Sequence, residues 1–440
     1  MTQFKDLKLS QSLLETLKEK GYVKPTDIQR EAIPSILSKR DLLGIAQTGT
    51  GKTAAFSIPI IENLVESDIK LMSKRVRALI LTPTRELANQ INENVEVYSK
   101  KTKLKSTVVF GGVGPLSQVR RLSTGVDILI ATPGRLLDLM TKGHIKLDQL
   151  EIFVLDEADR MLDMGFIRDI ERVIAKLPKK RQSLFFSATM PKDISNLAGT
   201  ILKDPITVEV TPASTPVEVI EQRAYHLDRS NKPLLLIDIL KNQESESVLV
   251  FTKTKYGADR VAKHLDRAGF ACASIHSNRS QGAREKALNA FRSREIKVLV
   301  ATDIAARGID VDSVSHVINY DVPLDAESYV HRIGRTARAG RDGSAMLFCD
   351  PSESKYLKAV EKLVGYKIQE VKDHPYFGAP PRVAPVNNPQ GKLKNPNLKK
   401  KSKGKPNHNS NKPGVKKKKV VKPGTPNKKR FSGKKKAPTK

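Results

Sequence analysis

Ala46-Gln47-Thr48-Gly49-Thr50-Gly51-Lys52-Thr53 sets two glycines, a lysine and hydroxyls within eight residues, directly after the apolar run Leu42 to Ala46. Glycines there let backbone N–H groups turn toward a phosphate, and a helix opening at Lys52 adds the positive end of its dipole. In that pattern Lys52 reaches the β- and γ-phosphates of a nucleoside triphosphate and the Thr53 hydroxyl binds Mg2+. The first position is Ala46, where the simple form of the pattern has glycine. A chance glycine turn is the alternative, and the strand before it and the helix after it argue against that. A second set lies where Ile152 to Leu155 runs into Asp156-Glu157-Ala158-Asp159. A buried strand ending in a carboxylate holds Mg2+ opposite a phosphate loop. Asp156 is therefore the candidate metal carboxylate, acting through water, and Glu157 the candidate to orient or deprotonate an attacking water. Alone, this acidic run reads as a helix start favoured by the macrodipole. Beside Lys52 and Thr53 it reads as a site.

Such loops need a scaffold that aims them at one place. From about Phe4 to Tyr366, short β-branched runs alternate with longer amphipathic stretches, the pattern of a parallel α/β fold. In the first half the expected strands are Leu42 to Ala46, Ala78 to Leu81, Asp127 to Ile130, Ile152 to Leu155 and Ser183 to Phe186. In the second they are Val248 to Phe251, Cys272 to Ile275, Val298 to Ala301, His316 to Tyr320 and Ala345 to Phe348. Polar or glycine-bearing residues follow each run of the first half, so five loops converge beyond the carboxyl ends of the strands, where open parallel sheets bind ligands. Thr211-Pro212-Ala213-Ser214-Thr215-Pro216 reads as a linker between the halves. Only the first half carries a phosphate loop, so the second must contribute something else to a shared cleft.

The motifs, in order, resemble those of the DEAD-box helicases, whose signature is Asp156-Glu157-Ala158-Asp159. Gly21-Tyr22-Val23-Lys24-Pro25-Thr26-Asp27-Ile28-Gln29 resembles the family's Q motif, with Phe4 at its upstream aromatic position. Pro83-Thr84-Arg85-Glu86-Leu87, Gly111-Gly112, Thr132-Pro133-Gly134-Arg135 and Ser187-Ala188-Thr189 follow. Then come Leu249-Val250-Phe251 with Thr254, Gln281 with Arg284, Thr302 to Asp310 and His331-Arg332-Ile333-Gly334-Arg335-Thr336-Ala337-Arg338. The resemblance covers roughly residues 4 to 370. Within the family it is greatest to the bacterial RhlE type, through Arg160-Met161-Leu162-Asp163-Met164-Gly165-Phe166. Ala337 and Ser277 stand where relatives more often have glycine.

The resemblance implies two tandem RecA-like parallel-sheet domains that close on ATP and RNA. Its expected boundaries are a Q-motif region over 1–30, a first domain over 31–208, a linker over 209–217, a second domain over 218–375 and a tail over 376–440. It implies that Phe4, Tyr22 and Gln29 hold the adenine and that Asp310 binds the ribose. Lys52 and Glu157 are then catalytic, together with arginine fingers Arg335 and Arg338 from the second domain. Asp159, Ser187, Thr189 and His331 would couple hydrolysis to RNA opening. Thr84, Arg85, Gly112, Thr132, Arg135, Arg279 and Thr302 would face the RNA backbone. None of these reads a base edge, so binding is expected to be independent of sequence.

Composition sets the outer limits. The chain has 440 residues, 39% of them hydrophobic, and two cysteines, Cys272 and Cys349, in no metal-ligand spacing. Its first residues, Met1-Thr2-Gln3-Phe4-Lys5-Asp6, lack the apolar run of a secretion signal. We expect a cytoplasmic, monomeric core with ATP as substrate and Mg2+ as cofactor. Net charge is +31, unevenly spread: residues 376–440 hold 21 Lys and Arg and no Asp or Glu, leaving 57 basic against 47 acidic in the body. The tail is too poor in large apolar residues to bury a core and reads as disordered. Its lysines suit phosphates and counterion release. Two rival readings are an RNA clamp or annealing chaperone, and a translocating DNA helicase.

Overall fold

The computed structural model describes residues 2–47, 49–210, 220–242, 245–303, 314–337 and 343–379. Each half is built on a seven-stranded sheet in which every pairing is parallel. The first sheet contains β1 (Leu42–Ala46), β2 (Val76–Leu81), β3 (Ser106–Val109), β4 (Val126–Ala131), β5 (Ile152–Leu155), β6 (Gln182–Ser187) and β7 (Ile206–Val210), in the order β3-β4-β2-β5-β6-β1-β7. The second contains β8 (Glu221–His226), β9 (Val248–Phe251), β10 (Cys272–Ile275), β11 (Val298–Ala301), β12 (His316–Asn319), β13 (Ser344–Cys349) and β14 (Gln369–Val371). Its order is β10-β11-β9-β12-β13-β8-β14. Renumbered from one, the two orders are identical. The chain is thus two tandem RecA-like α/β units.

Most interior strands are apolar, because both of their faces are covered, as parallel sheets require. From Ala78 to Leu81 in β2 the side chains divide by the period of two: Ala78 and Ile80 join one core cluster, Leu79 and Leu81 the other. Four strands are not among the expected runs. β3, β7 and β14 lie at sheet edges, and β8 (Glu-Gln-Arg-Ala-Tyr-His) is mostly polar although it sits inside the second sheet. The strands that were expected begin and end within two residues of the expected runs.

Two boundaries also move. β7 runs to Val210, so Glu209 and Val210 belong to a strand rather than to a 209–217 linker. At the other end Tyr376 packs on the second domain's core and its hydroxyl donates to Asp238 Oδ2 at 2.6 Å. Phe377 meets His374 edge-on. The folded body therefore extends past 375. Residues 211–217 and the tail from 380 lie outside the described residues. Among the described residues no helix is long and apolar enough to cross a membrane.

Candidate active site

The phosphate loop connects β1 to α3 (Lys52–Glu66). Gly49 and Gly51 take φ of +86° and +95°, the left-handed region open to glycine. A Cβ on Gly51 would also run into the amide of Gln29. Thr50 Oγ1 donates to the Gln47 carbonyl at 2.8 Å, tightening the loop. Lys52 is buried, and its Nζ donates to the Ala46 carbonyl at 2.5 Å. Burial pulls its pKa down, against the charges of Asp156, Glu157 and Asp159. Thr53, half-buried, follows it in the first turn of α3.

Gln29 reaches this loop from α2 (Asp27–Leu37). Its Oε1 accepts from the Thr26 N–H at 3.0 Å and its Nε2 donates to the Gly51 carbonyl at 3.2 Å. The side chain thus closes a capping box and braces the phosphate loop. One amide hydrogen and one carbonyl lone pair remain to meet a base. Phe4 stacks on Tyr22 with centroids 6.0 Å apart, and Tyr22 hydrogen-bonds Tyr98 at 3.2 Å.

Across the loop, β5 delivers Asp156. It is buried, its Oδ1 has no hydrogen-bond partner, and its pKa is pushed up to about 7 by burial and then by the charge of Glu157. Glu157 caps α7 (Ala158–Asp163) with φ of 56° and ψ of 51°. A left-handed glutamate is strained, and such strain gathers at functional sites. Both of its carboxylate oxygens accept from Arg160 Nη1, at 2.9 and 2.8 Å. Asp159 accepts from the backbone N–H groups of Ala188 and Thr189 and from Thr189 Oγ1, at 2.9 to 3.1 Å. The Ser187 hydroxyl donates to the Thr189 carbonyl at 2.7 Å. Asp159, Ser187 and Thr189 therefore form one network.

The second domain meets this edge. Arg160 lines one small cavity with Asp303, Ser328, His331, Arg332 and Arg335. Arg335 is buried. Arg332 is anchored by Asp303 at 2.5 and 2.7 Å and by Asn319 Oδ1 at 2.9 Å, and stacks over Phe251. A second contact joins α4 (Arg85–Tyr98) to the helix Gln281–Arg292. Arg284 pairs with Glu86 at 3.1 Å, Gln281 Nε2 donates to Glu86 Oε1 at 3.1 Å, and Asn89 donates to Glu285 at 3.2 Å.

The remaining candidates spread along the same edge. Thr84 Oγ1 caps α4, accepting from the Leu87 N–H at 3.3 Å. Arg85 lies tight against Gly112, whose φ is +79°. Desolvation first, then Arg284 and Arg135, lower the Arg85 pKa, marking a cationic cluster. Thr132 caps α6 (Pro133–Thr141), and Arg135 donates to the Val113 carbonyl at 2.9 Å and to Gln118 at 3.2 Å. In the second domain, Arg279 donates to Asp259 at 2.7 Å and Ser274 at 2.8 Å, and Thr302 follows β11. Thr48, Asp310 and Arg338 lie outside the described residues.

Residues 26–197 match the family model described as DEAD/DEAH box helicase, and 231–340 that of the helicase conserved C-terminal domain. The chain is 42% identical over 373 residues to an ATP-dependent RNA helicase, CshA, of Limosilactobacillus reuteri, covering 84% of this chain and 73% of the relative. The chain belongs to the DEAD/DEAH box helicase family. The DEAD-box chain is likewise 41% identical to an ATP-dependent RNA helicase, DbpA, of Bacillus subtilis, covering 84% of this chain and 76% of that one. Among solved structures it resembles S. cerevisiae Dbp5 bound to RNA and ADP BeF3, with a TM-score of 0.74 at 32% identity over 84% of this chain and 96% of that one. A DEAD box protein from Methanococcus jannaschii scores 0.50 at 39% identity, over 84% and 99%. The higher score falls on the lower identity.

Sequence reasoning passed over three groups of this DEAD-box site. Arg160 had a signal, since Glu157 and Arg160 are i,i+3 across a helix start. Arg332 anchoring Asp303 had none, because the partners are 29 residues apart. Glu86 meeting Gln281 and Arg284 is visible only once the domains are set together.

Proposed function

We propose that this chain is an ATP-dependent RNA helicase that hydrolyses ATP between its two domains to open short RNA duplexes and remodel RNA–protein complexes. One observation carries this: the phosphate loop, Asp156 and Glu157 of the first domain lead through Arg160 into a cavity walled by Arg335 and His331 of the second. A nucleotide in the cleft meets both domains, so hydrolysis and domain closure become one event.

The residues present suit Mg2+. Asp156 Oδ1 is buried without a partner, and Thr53 opens α3 beside the loop. A metal held there would take one carboxylate, a hydroxyl and substrate oxygens. When bound, Mg2+ offsets charge on the phosphates. Lys52, already desolvated, exchanges the Ala46 carbonyl for phosphate oxygens. Glu157 accepts a hydrogen bond from the attacking water, and Arg335 with Arg338 supplies positive charge as the γ-phosphoryl group leaves. Gln29 offers its spare donor and acceptor to the adenine, with Phe4 and Tyr22 behind it, and Asp310 takes the ribose. The Asp159–Ser187–Thr189 network, with His331, carries closure to the RNA edge. There Thr84, Arg85, Gly112, Thr132, Arg135, Arg279 and Thr302 offer hydroxyls, a glycine N–H and guanidinium groups to the RNA backbone.

Within the family we read the core as RhlE-like on the run Arg160 to Phe166, as monomeric and as bacterial cytoplasmic. Assembling ribosomes and messenger-decay complexes are its fitting partners. ATPase rates with RNA, with DNA and without nucleic acid, beside strand displacement, test the reading. RNA-stimulated turnover lost in Arg335→Ala supports it. Stimulation by DNA equal to that by RNA, or displacement unaffected by omitting ATP, would replace it with a DNA motor or an annealing clamp.

A further inference from the structure

Parallel pairing puts every strand start of the first sheet on one edge, opposite the edge that carries the motif loops. That amino edge is built from residues 38–41, 67–75, 99–105, 120–125, 142–151, 175–181 and 202–205, which lead into β1 to β7 in turn; of these, 120–122 are the end of the helix Pro115–Leu122. Together these segments hold 18 Lys and Arg against 5 Asp and Glu. Their surplus of 13 exceeds the surplus of 10 in the whole 375-residue body. Without them the body would be slightly acidic. Lys74, Lys103, Lys105, Arg121, Lys179 and Lys180 are exposed.

The fold does not demand this charge, and the second domain shows it. The segments before β9, β10, β11 and β14 (243–247, 268–271, 293–297 and 365–368) hold three basic and three acidic residues. Their first-domain counterparts, the loops 67–75, 99–105, 123–125 and 202–205 before β2, β3, β4 and β7, hold eight against two. The loops form one surface. Ser73 Oγ donates to the Ser123 carbonyl at 2.5 Å, Gln149 accepts from the Met72 N–H at 3.2 Å, and Arg75 pairs with Asp148 at 3.0 Å. Seven strand starts at ~4.8 Å spacing span about 29 Å, and the two edges are about 13–20 Å apart along the strands.

We propose that this amino edge is a second RNA-binding face, which grips the backbone of RNA flanking the segment held in the cleft. This rests on the helicase reading above. The lysines lie across several loops rather than along one amphipathic helix with an apolar face, the form that membrane-surface binding takes. They carry charge without base-reading geometry, so the grip is on phosphates and is salt-dependent. An RNA just long enough to fill the cleft cannot reach the opposite edge. A longer one can.

The test uses the full-length chain carrying Lys103→Glu, Lys105→Glu, Lys179→Glu and Lys180→Glu, with the four Lys→Gln changes as a gentler second variant. Affinity is measured over several salt concentrations for single strands of about ten and about forty nucleotides. We expect the long RNA to bind about tenfold more weakly and the slope of log affinity against log salt to flatten by roughly 0.7 for each phosphate no longer neutralised. Short-RNA affinity and ATPase at saturating RNA stay near the unsubstituted values, and the Gln variant shows a smaller loss of the same kind. Unchanged long-RNA affinity and slope in both variants overturn the proposal, as does an equal loss for both RNA lengths. Loss of binding to phosphatidylglycerol vesicles with long-RNA affinity intact would assign the face to a membrane and overturn it too. A lack of RNA-stimulated ATPase in the unsubstituted chain would strike the helicase reading instead.

Discussion

Glu157 sits in the left-handed region at φ 56°, clamped by Arg160, where an L-residue costs about 1–2 kcal/mol. The backbone turns there so that Asp156 and Glu157 leave the strand end in different directions. Replacing Glu157 with Gln keeps an oxygen for Arg160 and removes the charge. ATP and RNA should still bind while hydrolysis falls roughly 10²-fold or more, read as steady-state ATPase beside nucleotide affinity. Activity within about threefold of the parent would show that another group serves the water. Ala337 is strained in the same way, at φ 52°. Ala337→Gly should stabilise the second domain by about 0.5–1 kcal/mol and raise its melting temperature by a few degrees, about 1–4 °C. No rise, or a fall, would mean that the alanine methyl packs well enough to offset its strain. Residue types that chemistry needs in one order along the chain, such as Lys52, Thr53, Asp156 and Glu157, were legible in the sequence. What Gln29 does for Gly51 was not, because that contact depends on the angle at which α2 enters.

At the scale of elements, most strands legible in the sequence were interior ones, where burial on both faces forces an unbroken apolar run; β10 is legible although it lies at an edge, and β8 was missed although it lies inside. Edge strands β3, β7 and β14 are freer to be polar and left no such trace. The meeting of α4 with the helix Gln281–Arg292 left none either, though each helix start carries a recognisable motif of its own. Arg284 and Glu86 are 11% and 6% exposed, so removing one partner strands a buried charge. Arg284→Ala and Glu86→Ala should each weaken RNA-stimulated turnover. The double substitution should cost less than the two single costs combined, with a coupling of about 1 kcal/mol or more. Additive effects in that cycle would show that the two domains do not communicate through this pair.

Across the whole molecule, the tail and the body differ in chemistry: one is a run of charge, the other is built on two sheets. Tyr376 and Phe377 pack on the second domain, so a cut that isolates the tail belongs after Ala379 rather than after Pro375. The shortened protein should remain a folded, RNA-stimulated ATPase with lower RNA affinity and a flatter salt dependence, by roughly 0.7 for each phosphate the tail had neutralised. Identical isotherms with and without the tail would reduce it to a solubility element, and loss of ATPase at saturating RNA would tie it to the catalytic core. The end of the second domain was hidden in the sequence because Tyr376 and Phe377 sit among residues that otherwise look like a linker.

The last strand of the first sheet sets a timetable for synthesis. β7 pairs with β1 from Leu42–Ile206 to Ala46–Val210, so β1 is an open edge until residue 210 has left the ribosome. At about 5–20 residues per second, the interval between the phosphate loop's appearance and the arrival of β7 is roughly 8–30 s. For most of that time, until β6 emerges at residues 182–187, the strand that aims Lys52 has no neighbour, and from then until β7 it has one instead of two. A nascent chain is therefore unable to hold nucleotide firmly until its first domain is whole, and the second domain, made afterwards, is born beside a site already waiting for it.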